Sequence, residues 1–390
     1  MAYVILDADG WQNVIDFETG EDLDSWDDPV VDDMLKLTPR FPYPGDTNMD
    51  SIEWTGAVGK ALYDYCHPDF MLLTYATPYH IKTSTPVTKD DEAEINKRLF
   101  ASVEGFLEHT GYIPVIIGTG GMSEIKEVLI PPGLRGRIRH GHRSFSCSGF
   151  FRPTEEELEQ VHGIPHTRSF TKDDIRRDFP EAEEEYIADM PDVFIVRESG
   201  YAFSQAKDRG MRQYKSPNVS DALPISTALP TPTHITDVYR VMNEALDAGG
   251  KVALIVLEGT GTDDFLIPHE SLPAKDKWMA YADGLSQYMA LLSGKPFYRF
   301  GIPLVRECHP FKERGKRYPY SQFSDGDMPG NVIGLRKDVR TAAAGSRSMY
   351  THAISQADIC IECHARQMVA SGILVLVNDP KRTKRTARKG

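Results

Sequence analysis

The sequence predicts an α/β protein, a mainly parallel sheet with helices on both faces, on three observations. Short apolar runs recur along the chain, at 2–6, 70–76, 113–117, 192–196, 251–257, 297–305 and 373–377, and most stop at a glycine-containing or polar turn. Stretches of helical spacing lie between them. The run Lys251–Leu257 contains no alternating polar residue, as expected of a strand covered on both faces.

In chain order, Ala2–Leu6 is a strand that runs into Asp7-Ala8-Asp9-Gly10. Residues 18–34 are acidic and poor in apolar side chains, which suits an exposed connection. Ser51–Tyr65 has helical spacing through Ile52, Ala57, Leu62 and Tyr65. Phe70–Ala76 is a buried strand that stops at Thr77-Pro78, an ordered polar turn. From Lys89 the helix period returns: Ile95, Leu99, Val103, Phe106 and Leu107 share a face, Asp90, Asp91 and Glu92 occupy the first turn, and Gly111 ends it. Ile113–Ile117 is the next strand, followed by Gly118-Thr119-Gly120-Gly121.

Residues 123–190 read as an inserted cap or excursion, with charged surface helices at Glu155–His162 and Lys172–Ile187. Asp192–Val196 is another strand, Ser216–Thr233 a Pro- and Ser-rich loop, and Ile235–Leu246 a helix closed by Asp247-Ala-Gly-Gly250. After Lys251–Leu257 come a helix over Trp278–Leu292, a strand over Phe297–Val305, a polar loop to Asp338, a largely helical stretch over 346–369, and a last strand over Ile373–Val377. The whole chain, 1–390, reads as one large domain with a basic tail at 380–390.

Composition limits the function. The formal net charge of -13 argues against a general nucleic-acid partner, since phosphate binding needs a basic face. No apolar run approaches membrane-spanning length and Met1 leads straight into a strand, so the expectation is a cytoplasmic protein without a membrane partner. The partner expected is a small-molecule substrate, and a homo-oligomer is compatible with the composition. Five cysteines scattered over the chain do not make a disulfide framework. Cys360-Ile-Glu-Cys363-His364 matches the C-x-x-C-H spacing of covalent haem attachment, but such attachment belongs outside the cytoplasm, and the pair reads better as buried structural cysteines.

The richest polar cluster follows Leu257. Glu258-Gly259-Thr260-Gly261-Thr262-Asp263-Asp264 gathers carboxylates, hydroxyls and glycines at one strand tip, the edge at which open α/β sheets place their sites. Glu258 and Thr260, with His309 from Arg306-Glu307-Cys308-His309, are the catalytic candidates, and Glu258, Asp263 and Asp264 the candidates for holding one divalent metal ion. The cofactor is otherwise unknown. His140, His142 and Arg143, together with Arg336, suit an anionic substrate. The competing reading of Asp263 is a plain helix cap.

Pro68-Asp69-Phe-Met-Leu-Leu-Thr-Tyr-Ala-Thr-Pro78-Tyr79-His80-Ile81, a helix, and then Val115-Ile-Ile-Gly-Thr119-Gly120-Gly121-Met122 resembles the core of the alkaline phosphatase superfamily, above all its phosphodiesterase/nucleotide pyrophosphatase-like branch. In that family a strand leads to a P-D-x-x-G-H turn, and the strand after the next helix ends in S-D-H-G-M. Lys251–Thr262 resembles the family's opening strand, with Glu258-Gly259 in place of its Asp-Gly. That stretch comes late in the chain, so the order reads as circularly permuted unless Ala2–Gly10 is the opening strand. The resemblance implies an alkaline-phosphatase-like sheet and an enzyme of hydrolase or lyase type acting on an ester or phosphoester bond of a small anionic substrate. The family's metal ligands are replaced here by Tyr79, Thr83, Thr119 and Gly120, none of which serves as a carboxylate or imidazole ligand. The alternative is therefore a catalytically silent relative acting as a binding or assembly subunit.

Overall fold

The structure is a computed structural model that describes residues 40–131, 147–203, 212–273, 284–295, 332–346 and 357–362, apart from 189, 220, 221 and 337. It also describes a few single positions at 33–37, 351 and 355, and the backbone of short strands elsewhere. The strands of the first half are β1 (Tyr3–Asp7), β2 (Val14–Asp16), β3 (Asp22–Leu23), β4 (Phe70–Tyr75), β5 (Ile113–Gly118), β6 (Met122–Glu124), β7 (Glu127–Leu129), β8 (Arg137–His140) and β9 (Cys147–Phe150). Then come β10 (Thr167–Thr171), β11 (Val193–Arg197), β12 (Tyr201–Phe203), β13 (Lys215–Pro217), β14 (Leu223–Thr227), β15 (Val252–Leu257), β16 (Glu270–Leu272), β17 (Thr341–Gly345), β18 (Ile359–Glu362) and β19 (Val375–Asn378). The helices are α1 (Asp50–Cys66), α2 (Thr77–Ser84), α3 (Lys89–Thr110), α4 (Glu155–His162), α5 (Lys172–Asp178), α6 (Glu184–Ala188), α7 (Asp237–Asp247) and α8 (Gly284–Ser293).

Eleven strands form one sheet in the order β16-β14-β5-β15-β4-β17-β18-β1-β19-β2-β3. From β5 to β1 every pairing is parallel. Antiparallel β14 and β19 flank that block. The three apolar runs expected to be neighbours are so: β15 lies between β4 and β5, with Val252 opposite Phe70 and Ile113, and Leu257 opposite Tyr75 and Gly118. All six β15 side chains are buried. Leu254 and Val256 point into a core shared with Val238, Met242, Tyr288 and Leu291 of α7 and α8. Ala253, Ile255 and Leu257 point into one shared with Ile52, Val58 and Leu62 of α1 and Leu99, Val103 and Phe106 of α3. The fold class is therefore α/β, a mainly parallel sheet with helices on both faces.

The helix ends follow their local chemistry. At the start of α3 the Thr88 hydroxyl accepts from Asp91 N while the Asp91 carboxylate accepts from Thr88 N, so two otherwise orphaned donors are satisfied. At its end Gly111 takes the left-handed conformation and its N–H returns to Leu107 O.

Several elements differ from the sequence expectations. Thr77-Pro78 opens the helix α2 rather than a polar turn, because Pro sits in the first turn, where its missing N–H costs no intrahelical bond. Asp192–Val196 overlaps β11, which pairs in a separate four-stranded antiparallel sheet, β10-β11-β9-β8, and not in the main one. Leu223–Thr227, inside the Pro- and Ser-rich loop, pairs as β14. The stretch expected to be helical over 346–369 contains β18, held between β17 and β1. The Lys172–Ile187 helix is split into α5 and α6 around Pro180. The Trp278–Leu292 helix is described from Gly284, and the Phe297–Val305 strand and the 380–390 tail lie outside the described residues. Among the described residues, no helix is long and apolar enough to cross a membrane.

Leu254, covered on one face and flanked by two strands, tests this packing. Leu254→Ala is expected to lower stability by about 2–5 kcal/mol, read from the urea midpoint at unchanged slope.

Candidate active site at the carboxyl edge of the sheet

The turns that leave β4, β5 and β15 meet at the carboxyl edge. The ladder continues past the last strand residues, Glu258 N donating to Tyr75 O at 3.0 Å and Thr119 N to Leu257 O at 3.1 Å. The two glycine turns then bind each other: Gly259 N donates to the Thr119 hydroxyl at 3.0 Å and Gly120 N to Thr260 O at 3.2 Å. Two glycines are required for this approach. A Cβ on Gly261 would stand 2.7 Å from the Cα of Gly121, and Gly259 has a φ of +71° that favours glycine.

Strand alternation decides where the carboxylates go. Glu258 continues the series Leu254, Val256 and reaches the α8 face, where it is 3% exposed and accepts a hydrogen bond of 2.8 Å from the Tyr288 hydroxyl. Asp264, at the end of the short 3-10 turn Thr262–Asp264, meets groups from the other side. Its carboxylate accepts from Lys82 Nζ of α2 at 3.1 Å and from Asn96 Nδ2 of α3 at 3.1 Å. The Lys82 ammonium also donates to Gly259 O at 3.0 Å, tying the turn to α2. Asp263 is exposed. Glu258, Asp263 and Asp264 thus follow one another in sequence yet do not converge. Among the described residues no group of three or more His, Cys, Asp or Glu side chains is placed to hold a metal ion.

Thr260, Thr77 and Thr83 are buried, and among the described residues their hydroxyls have no hydrogen-bond partner. Thr77 is the first residue of α2, and its N–H, like that of Ala76, donates to the Ser346 hydroxyl beyond β17, at 3.3 and 2.9 Å. A further cation approaches from the small sheet. Arg197 ends β11 completely buried, its Nη2 donating to Pro217 O at 2.9 Å and its Nη1 to Glu198 O at 3.3 Å. Burial pushes its pKa down to about 10, against a pull from the Tyr79 phenol.

The other sequence candidates lie elsewhere. Arg336 is at the opposite, amino edge: it donates to Asn243 at 2.8 Å and Asp247 at 2.7 Å at the end of α7, ahead of β15, so it is not gathered with Glu258 and Thr260. His140 belongs to β8, opposite Cys147, and its side chain is outside the described set, as are His142, Arg143, Glu307 and His309. Cys360 is buried in β18 between two paired strands. Cys308, Cys363 and His364 lie outside the described residues. Sequence reasoning missed Tyr288, Lys82, Thr77, Ser346 and Arg197. The only local signal among them was the Thr77-Pro78 pair directly after an apolar run.

No family model matches the chain, and no curated protein matches it. Among solved structures, it is similar to phosphonoacetate hydrolase from Sinorhizobium meliloti 1021 in complex with phosphonoacetate, with a TM-score of 0.33 and 15% identity over 45% of this chain and 49% of that one. The same protein in complex with phosphonoformate gives a TM-score of 0.32 and 16% identity over 45% and 49%. The chain spans about half the length of those structures. What it does rests on its own residues.

Lys82 is 1% exposed and Asp264 26%, so the pair is only partly screened by solvent. Lys82→Met is expected to cost about 1–3 kcal/mol, because it leaves Gly259 O without the Lys82 donor and Asp264 with Asn96 but no counter-charge. Adding Asp264→Asn should recover part of that loss in a double-mutant cycle, and strict additivity would show that the pair does not hold the turn.

Proposed function

We propose that this chain is an enzyme of hydrolase type, on an alkaline-phosphatase-like scaffold, that takes a small anionic substrate at the carboxyl edge of its sheet. The observation that carries this reading is the pair of buried threonine hydroxyls at that edge, Thr77 after β4 and Thr260 after β15, which have no hydrogen-bond partner among the described residues; Thr83, near the end of α2, is a third such hydroxyl. Buried polar atoms are nearly always satisfied, so an unpaired hydroxyl calls for a partner, and at a strand tip a ligand or a water can supply it. In this reading Thr260 offers its hydroxyl to the substrate or to an attacking water. Glu258, held by Tyr288, receives the proton. The start of α2 adds the positive end of a helix dipole, although the N–H groups of Ala76 and Thr77 are given to the Ser346 hydroxyl. His309, and the group His140, His142 and Arg143, join the proposal as acid–base and anion-binding candidates. Arg336 does not, since it sits at the other edge. A divalent ion would need ligands beyond Glu258, because Asp264 is committed to Lys82 and Asn96.

A second reading, a catalytically silent binding or assembly subunit, is favoured by one observation: the glycine turns and the Lys82–Asp264 pair satisfy much of the strand tip internally. An assay against p-nitrophenyl phosphate, bis(p-nitrophenyl) phosphate, p-nitrophenyl phenylphosphonate and p-nitrophenyl acetate, with and without added magnesium, manganese or zinc, separates the two. Turnover of at least one ester is expected, and Glu258→Gln should reduce it by about 100-fold or more while the thermal midpoint holds. Absence of turnover under every condition would favour the silent subunit.

A further inference from the structure

Arg197 lacks what a buried guanidinium normally has. Such a group carries five N–H donors, and here two go to main-chain carbonyls while Nε has no partner. No carboxylate among the described residues pairs with it. Glu198, its neighbour in the chain, lies instead 3.5 Å from His166 Nδ1. Arg197 stays protonated at neutral pH, since even the lowered pKa is about 10. A full positive charge therefore sits out of water with a donor to spare, an arrangement that is costly unless a counter-charge arrives.

Its position narrows what that counter-charge is. Arg197 Nη2 donates to Pro217 O at 2.9 Å, and Pro217 in β13 lies opposite Met122 in β6. The Met122 Sδ, at 2.7 Å, and the Tyr79 Cα in the first turn of α2, at 3.2 Å, both lie against the place where a Cβ on Gly259 would stand. The end of β11, the start of α2 and the turn after β15 thus border one another. The planar edge formed by Nε and an Nη of arginine fits two oxygens of one carboxylate or phosphate group, which a lysine does not match.

We propose that Arg197 is the anion-recognition residue of this chain, its Nε and a free Nη proton gripping two oxygens of a carboxylate or phosphate-type group beside Tyr79. The proposal deepens the hydrolase reading and rests on it for the location of the reacting bond. It adds the residue that holds the substrate's charge.

Isothermal titration of the full chain with inorganic phosphate and, separately, with acetate tests it, and comparison of the two arms tells which oxyanion the fork prefers. Saturable binding of one anion per chain is expected for the wild type. In Arg197→Met it should weaken by about tenfold or more, the loss of one charge-assisted contact. Arg197→Lys, which keeps the charge without the fork, should also bind at least several-fold more weakly, and it carries the test if the Met variant does not fold. Failure of the wild type to bind either anion, or unchanged affinity in the folded variants, overturns the proposal. Anion binding lost in Arg197→Met with no ester turned over would leave Arg197 standing and remove the hydrolase reading. Turnover by the wild type with anion affinity unchanged in Arg197→Met would do the reverse.

Discussion

Six consecutive side chains of β15 are shut off from water on both faces of the sheet, and the rest of the structure is arranged around that requirement. A strand so apolar needs a hydrogen-bonded neighbour on each side and a helical layer above and below; β4, β5, α1, α3, α7 and α8 meet it. The same requirement sets the geometry of the tip. Because the ladder bonds carry on to Glu258 and Thr119, the first polar side chain after the strand inherits the alternation and is sent to the α8 face. Residues a few positions further are reached only after the chain has turned at Gly259 and Gly261. Carboxylates adjacent in sequence are thereby parted in space.

Most of the central sheet was legible because its signal is strong and local. Runs such as Phe70–Tyr75 and Val252–Leu257 are apolar throughout and end at chain breakers, and α3 adds an amphipathic period to a capping pair at Thr88 and Asp91. Where reading failed, the local preference pointed the other way. Thr341–Gly345 is three alanines between small residues, a composition with high helix propensity, yet it is a fully buried strand. Its smallness is what the sheet needs there: a Cβ on Gly345 would collide with the hydroxyls of Thr74 and Thr351. β14 was hidden by Pro224, which the antiparallel flank of the sheet tolerates. β11 shows a different limit. Its five buried residues look like those of β4, and nothing in an apolar run says which strand it will pair with.

The candidate site was legible in Glu258 and Thr260, just past the apolar run, and not in the residues that surround them. Glu258 could be found as the end of an apolar run, whereas Tyr288, which orients it, comes from a helix 30 residues later. Lys82 looks in sequence like the solvent-facing lysine of a short helix. It is buried, with its ammonium bound to Gly259 O and Asp264. Arg197 likewise looks like a strand-end charge bound for water, and only the packing of the small sheet covers it. Burial of a charged side chain is a tertiary property with no period and no spacing.

These two buried cations have an electrostatic meaning that differs from the chain's average. The protein as a whole carries a formal charge of -13, which repels polyanions approaching from a distance. At the corner shared by α2, β11 and the turn after β15, Lys82 and Arg197 are both held out of solvent, where screening is weak. Lys82 is balanced by Asp264, so its field is local, whereas Arg197 has, among the described residues, only carbonyl oxygens as acceptors. In a medium of low dielectric such a charge acts on its surroundings far more strongly than the same charge in water.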